Sequence, residues 1–286
     1  MPTSSSTQLD SLFSKAVSHI DAGQLSELQS LLAANPQLVA KRLESAGDWL
    51  RSLINGALEG YFKDPYLLWF VAENPIRHET LPANIIEITN AIIAAAKKEA
   101  VDSLEQQLDY ALGLVVTGRV PREAGVQLQL MDVLIDAGAR PGAGHGALSG
   151  RNLEAAAHLI ERGGELTLAT AMCLDRDRDV ERLALTATPR DRQIALVAAA
   201  LNGKVRALSK LLELGVDLNA YSTGIHTHAT ALHHAVDSGS LEAVELLVEA
   251  GARLDTRDKV YSGTPLDWAE HEGRSEIANY LRGRLS

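Results

Sequence analysis

Along residues 241–251 the apolar positions Leu241, Val244, Leu247 and Val248 recur at i, i+3, i+6 and i+7, while Glu242, Glu245 and Glu249 take the other side. That spacing predicts an amphipathic helix with one apolar stripe. Gly251 closes it. Immediately upstream, Thr230 to Gly239 reads as a shorter helix, stopped by a glycine that tolerates a left-handed backbone. The same two-part unit returns as Gly263-Thr-Pro-Leu-Asp-Trp-Ala-Glu-His-Glu-Gly273 followed by Arg274-Ser-Glu-Ile-Ala-Asn-Tyr-Leu-Arg282, with Thr230 and Thr264 34 residues apart. Thr264-Pro265 predicts a helix start: the Thr hydroxyl accepts a first-turn amide, and Pro at the first helical position has no amide to leave unsatisfied. Asp267 then sits in the positive first turn. One helix pair cannot bury its stripe alone, so the unit predicts a stacked array.

Read backwards, the unit decays but persists. Gly203 to Gly239 and Gly215 to Gly251 are both spaced by 36 residues, which aligns 194–215 with 230–251. Gly142 to Gly163 reads as another copy, and Met131 to Ala139 as the end of an earlier one. Residues 166–187 fit a short divergent pair, with the charge run Asp175-Arg-Asp-Arg-Asp179 as a solvated turn between its helices. Residues 1–100 keep a helix–stop–helix rhythm without the full pattern, including a helix over Pro82 to Lys98. They read as a separate N-terminal helical region of degenerate repeats or a cap, ahead of a repeat domain over 101–286.

The full-length pattern, Thr230-x-Leu232-x-x-Ala235 then Leu241-Glu242-x-Val244-x-Leu246-Leu247-x-x-x-Gly251-Ala252, resembles the ankyrin-repeat family. The resemblance implies an all-α, ankyrin-type helical repeat solenoid with short β-turn fingers, working as a non-catalytic protein-binding scaffold or inhibitor. The stand-alone array of Ala/Leu-rich helices looks bacterial. In such stacks the finger tips and the ends of the first helices form the binding face. Carried over position by position, that face is Tyr221, His226, Thr227, Asp237, Ser238, Tyr261, His271 and Glu272, with Val260 beside them and Leu201 and Asn202 one repeat earlier.

Composition narrows the partner. A formal net charge of −10 argues against a nucleic-acid backbone or an anionic membrane surface. The single cysteine, Cys173, excludes an intramolecular disulfide and suits a reducing cytoplasm. Met1 to Thr7 is polar, and no run approaches the length of a membrane span. A cytoplasmic chain with a protein partner and no cofactor is the expectation.

Three segments carry candidate chemistry. From Asn219 to Thr230 is 11 residues, about two more than the family's finger takes. The surplus sits in Tyr221-Ser-Thr-Gly-Ile-His-Thr-His228, with His233 and His234 close behind. If the finger is extended, His226 and His228 point to one side, and an alternative reading makes 221–234 the core of a metal- or small-molecule-binding enzyme. Against it, His233 occupies the family's structural histidine position, with His234 as its packing neighbour. The segment Tyr61 to Phe70 holds five of the chain's 12 aromatics, and Tyr66, Trp69 and Phe70 fall at helix-core spacing, so it reads as core rather than pocket. Gly142-Ala-Gly-His-Gly146 lacks the strand and the Gly-Lys-Ser/Thr of a phosphate loop. Cys173 lies in an apolar segment and reads as a small buried hydrophobe. No nucleophile or metalloprotease motif appears, and catalytic residues stay unassigned.

Overall fold

The computed structural model describes residues 4–285, so the polar start at Met1 to Thr3 lies outside them. The described residues are helical, and the one strand-like feature is an isolated antiparallel bridge between Tyr221 and Thr230. Their contacts form two compact units, one ending at Pro141 and one starting at Gly142; the sequence had placed its line at 100/101.

The first unit comprises α1 (Ser4–Asp21), α2 (Leu25–Ala34), α3 (Gln37–Ala40), α4 (Asp48–Leu58), a 3-10 helix (Leu67–Ala72), α5 (Ile85–Lys98), α6 (Leu104–Thr117), α7 (Arg119–Glu123) and α8 (Gln127–Ala137). The expected helix over Tyr66 to Phe70 is thus a 3-10 turn, and all six of its residues are buried. It packs on α1, α5 and α6. Phe62 and Phe70 meet edge-on with centroids 5.2 Å apart, while Tyr61 remains exposed. Burial without α-helical spacing has a simple cause: a core segment touched from three sides needs no polar face.

Just past that turn, Glu73 and Arg77 form an ion pair at 2.9 Å, with side chains 1% exposed. Glu73 Oε1 also accepts the backbone amides of Arg77 at 2.7 Å, His78 and Glu79. Arg77 donates to Asp21 at 2.7 Å and to the Phe70 carbonyl at 3.1 Å.

The second unit is five consecutive helix pairs among the described residues: α9 (His145–Ser149) and α10 (Leu153–Glu161), α11 (Leu168–Cys173) and α12 (Asp177–Ala184), α13 (Pro189–Leu201) and α14 (Val205–Glu213), α15 (Ala231–Ser238) and α16 (Leu241–Glu249), α17 (Pro265–His271) and α18 (Ser275–Leu285). First helices stack on first helices, α11 on α13, α13 on α15 and α15 on α17. Second helices follow, α14 on α16 and α16 on α18. Apolar stripes are consumed by this stacking: Ala243, Val244 and Leu247 are fully buried. The expected turn at 175–179 is shorter than the run: Asp175 and Arg176 connect α11 to α12, while Asp177 to Asp179 open α12. Carboxylates of the run reach the next pair, Asp175 to Lys204 at 2.7 Å and Asp177 to Lys210 at 2.9 Å.

Candidate functional site

The last two fingers and first helices are built by local hydrogen bonds. Thr264 Oγ1 accepts the Asp267 amide at 3.2 Å, and Asp267 Oδ2 accepts the Thr264 amide and hydroxyl at 2.8 Å each. These bonds hold the Asp267 carboxyl below its ordinary range. At Thr230 the third residue is His233. Its Nδ1 pairs with Thr230 Oγ1 at 2.8 Å and its Nε2 with the Gly263 carbonyl at 3.1 Å, which assigns the Nε2–H tautomer. Burial, ahead of any partner, pushes the His233 pKa down.

Asp258 organises the final finger. It is 3% exposed. Oδ1 accepts the Val260 and Tyr261 amides at 2.8 and 2.7 Å, and Oδ2 accepts the Gly263 amide at 2.8 Å and Trp268 Nε1 at 3.0 Å. Burial would raise its pKa, but those four donors stabilise the carboxylate more and hold it far below the usual range. The turn fixed in this way presents Val260 and Tyr261 to solvent, 60% and 79% exposed.

Beside Tyr261 lies a groove of about 500 Å³, lined by Tyr261, Gly263, Asp267, Trp268, His271 and Glu272. Burial, then the neighbouring Asp237 charge, pushes the Glu272 pKa up. Asp237 itself is tied across repeats: Arg151 donates to its carbonyl at 2.8 Å and to Oδ1 at 3.0 Å, and Arg274 donates to the same carbonyl at 3.2 Å.

The expected face is therefore divided. Tyr261, His271 and Glu272 share the groove. Tyr221 adjoins through the finger, but its hydroxyl is committed to the Arg257 carbonyl at 2.6 Å, and Lys259 Nζ lies 4.0 Å from its ring centre. Ser238 Oγ is spent on its own turn, donating to the Ala235 carbonyl at 2.7 Å. Thr227 is exposed. One repeat earlier, Leu201 is buried and the Asn202 amide donates to the Leu148 carbonyl at 3.0 Å, so neither is presented. Trp268 and Asp258 were not singled out from sequence. The available signal was Trp268 standing 34 residues after His234, the same place in the repeat.

The long finger takes a different course from an extended strand. A Cβ on Gly224 would lie 2.6 Å from Ile194 Cδ1, so the backbone rests directly on α13, and Ile225 is 7% exposed. His226 adopts a left-handed φ of 46° and its Nε2 lies 3.3 Å from the Ser149 carbonyl. The His226, His228 and His234 rings gather with centroids 5.2–6.1 Å apart, and His228 and His234 pack against Trp268. Burial is the main reason the His234 pKa falls to about 3. Among the described residues, no group of three or more His, Cys, Asp or Glu side chains is placed to hold a metal ion. Cys173 is fully buried, and burial pushes its thiol up to about 12. Gly144 caps α9 in place of any phosphate loop. No described helix is long and apolar enough to cross a membrane.

Known proteins share this pattern. A family profile described as "Ankyrin repeats (3 copies)" matches residues 132–258 and 196–284. A rice protein, "Probable E3 ubiquitin-protein ligase XBOS34", is 35% identical over 92 residues, 32% of this chain and 17% of its own. Mouse "Ankyrin repeat and SOCS box protein 6" is 41% identical over 78 residues, 27% of this chain and 18% of its own. Human "Cyclin-dependent kinase inhibitor 2A" is 33% identical over 119 residues, 40% of this chain and 74% of its own. The chain thus spans under a fifth of the rice and mouse proteins. These three relatives are eukaryotic and lend no support to a bacterial origin. The helix pairs, their caps and the matched span together place the chain in the ankyrin-repeat family.

Proposed function

We propose that the chain is a non-catalytic protein-binding module that seats its partner on the fingers and first helices of its last two repeats. One observation carries this reading: Asp258 fixes a turn that holds Tyr261 out in solvent beside the Trp268 groove. A rigid, exposed aromatic next to a groove is the kind of anchor in which interface energy concentrates. Tyr221 supports the finger from below, and Thr227, His271 and Glu272 form the polar rim. Relatives named as cyclin-dependent kinase inhibitors favour inhibition by occlusion over tethering. The charge of −10 favours a protein over nucleic acid or membrane, in a cytoplasmic setting.

The experiment is affinity capture with the full chain and with Tyr261→Ala, run side by side from the same lysate. A protein recovered in near-equal molar amount with the wild type, and depleted with Tyr261→Ala, supports the reading. Equal recovery with both chains places the site elsewhere.

A further inference from the structure

The long finger does more than connect α14 to α15. It crosses the first helices of earlier repeats, with Gly224 on Ile194 of α13 and His226 at Ser149, the end of α9. An ordinary finger has no surplus residues to make that reach. The surplus ends in imidazoles: His226 and His228 face each other at 6.1 Å, and both face His234, at 5.2 and 5.9 Å. We propose that residues 221–229 are an acid-released strap, docked over Ile194 and Ser149 while the buried His234 beneath them is neutral, and lifted when that imidazole takes up a proton.

The surroundings offer little to a second charge. From the finger, His226 and His228 bear on His234; from its own helix, His233 does, and no carboxylate is among the groups acting on it. Trp268 of α17 packs against His228 and His234 and is uncharged. The final finger contributes the Lys259 amide, which donates to the His228 carbonyl at 2.8 Å, and Asp258, which acts on His233. Under the strap, α13 and α9 present Ile194 and a backbone carbonyl. His234 Nε2 is buried without a protein hydrogen-bond partner.

The sign follows from proton counting. Docked, His234 stays neutral down to about 3. Lifted, it meets water and regains an ordinary histidine affinity near ~6.5. The lifted form binds more protons, so acid favours it: below ~6.5 the lifted-to-docked ratio grows up to about tenfold per pH unit for each such histidine. Above that range the strap stays down. What the uncovered surface then binds rests on the proposed function, but the movement itself needs no partner to be seen.

The test uses the full chain, labelled for NMR, and follows the nuclear Overhauser contact between the Gly224 α-protons and the Ile194 δ1 methyl. It is read at about pH 7.5 and about pH 5, which brackets histidine titration. The contact should be present at the higher pH and at least threefold weaker at the lower. The His234 ring shifts should move with the same midpoint, and contacts at Ile277 should hold. In His226→Asn/His228→Phe/His234→Phe the contact should survive acid. If that variant fails to fold, the shared midpoint in the wild type still decides. A contact missing at the higher pH, unchanged at the lower, lost with the ring shifts unmoved, lost together with the Ile277 contacts, or lost equally in a folded triple variant overturns the strap.

Discussion

Trp268 Nε1 donates to Asp258 Oδ2 at 3.0 Å, and that bond locks the first helix of the last repeat to the finger preceding it. Because the same carboxylate takes three finger amides, Asp258→Ala strands four donors at once. Bonds to a charged acceptor contribute about 1.5–3 kcal/mol each, with heavy overlap, so a loss of about 2–4 kcal/mol is expected. Chemical denaturation measures it. The pH dependence has a definite sign. A carboxyl held low in the folded state contributes stability that is present above its unfolded value of ~3.9 and lost as pH falls below it. Asp258→Asn should flatten that acid limb; an unchanged limb would assign it to other carboxylates.

In the first unit, Arg77→Met should leave Glu73 and Asp21 facing each other without their shared cation. Removing one partner of a buried pair costs about 3–5 kcal/mol. Thermal unfolding should report a lower transition for this variant. A loss under about 1 kcal/mol would show that the pair contributes little beyond its own desolvation.

The repeats richest in consensus, 230–286, were legible because their caps and stripes are local: Thr264, Pro265 and Asp267 specify a helix start wherever they occur. The reading weakened where structure depends on distant contacts. Nothing near Leu67 to Ala72 marks a 3-10 turn, since its form is set by α1, α5 and α6 around it. The 175–179 run looked like a turn throughout because its partners, Lys204 and Lys210, lie a repeat away. At the site, counting residues exposed the finger's surplus length. It could not show that His226 turns left-handed and reaches Ser149, 77 positions back. Nor could it show that Tyr221 spends its hydroxyl on Arg257.

Gly224→Ala should cost stability by crowding one side chain, as its Cβ would fall 2.6 Å from Ile194 Cδ1 and 2.7 Å from Ile194 Cγ1. Overpacking of this kind costs about 1–3 kcal/mol. Ile194→Ala removes both crowded atoms, so the double variant should lose less than the sum of the singles. Strict additivity in denaturation measurements would mean that the finger does not rest on α13.

Deleting residues 264–286 removes α17 and α18, which pack on α15 and α16. Without them the apolar stripe of α16, buried at Ala243, Val244 and Leu247, loses its neighbour on one side. The shortened chain should melt lower and aggregate, as seen by light scattering during a thermal ramp. Unchanged melting and scattering would show that this pair does not cover the stripe.

Partner binding is proposed to run through Tyr261. Its most direct test is the dissociation constant of the captured partner for the wild type, for Tyr261→Ala, and for Glu242→Lys on α16. An aromatic anchor is worth about 2 kcal/mol or more on truncation, which is roughly a thirtyfold weakening. Tyr261→Ala should show that loss with the helical fold intact, while Glu242→Lys binds within about threefold of wild type. Equal affinity for the wild type and Tyr261→Ala, or a larger loss from Glu242→Lys, would contradict it.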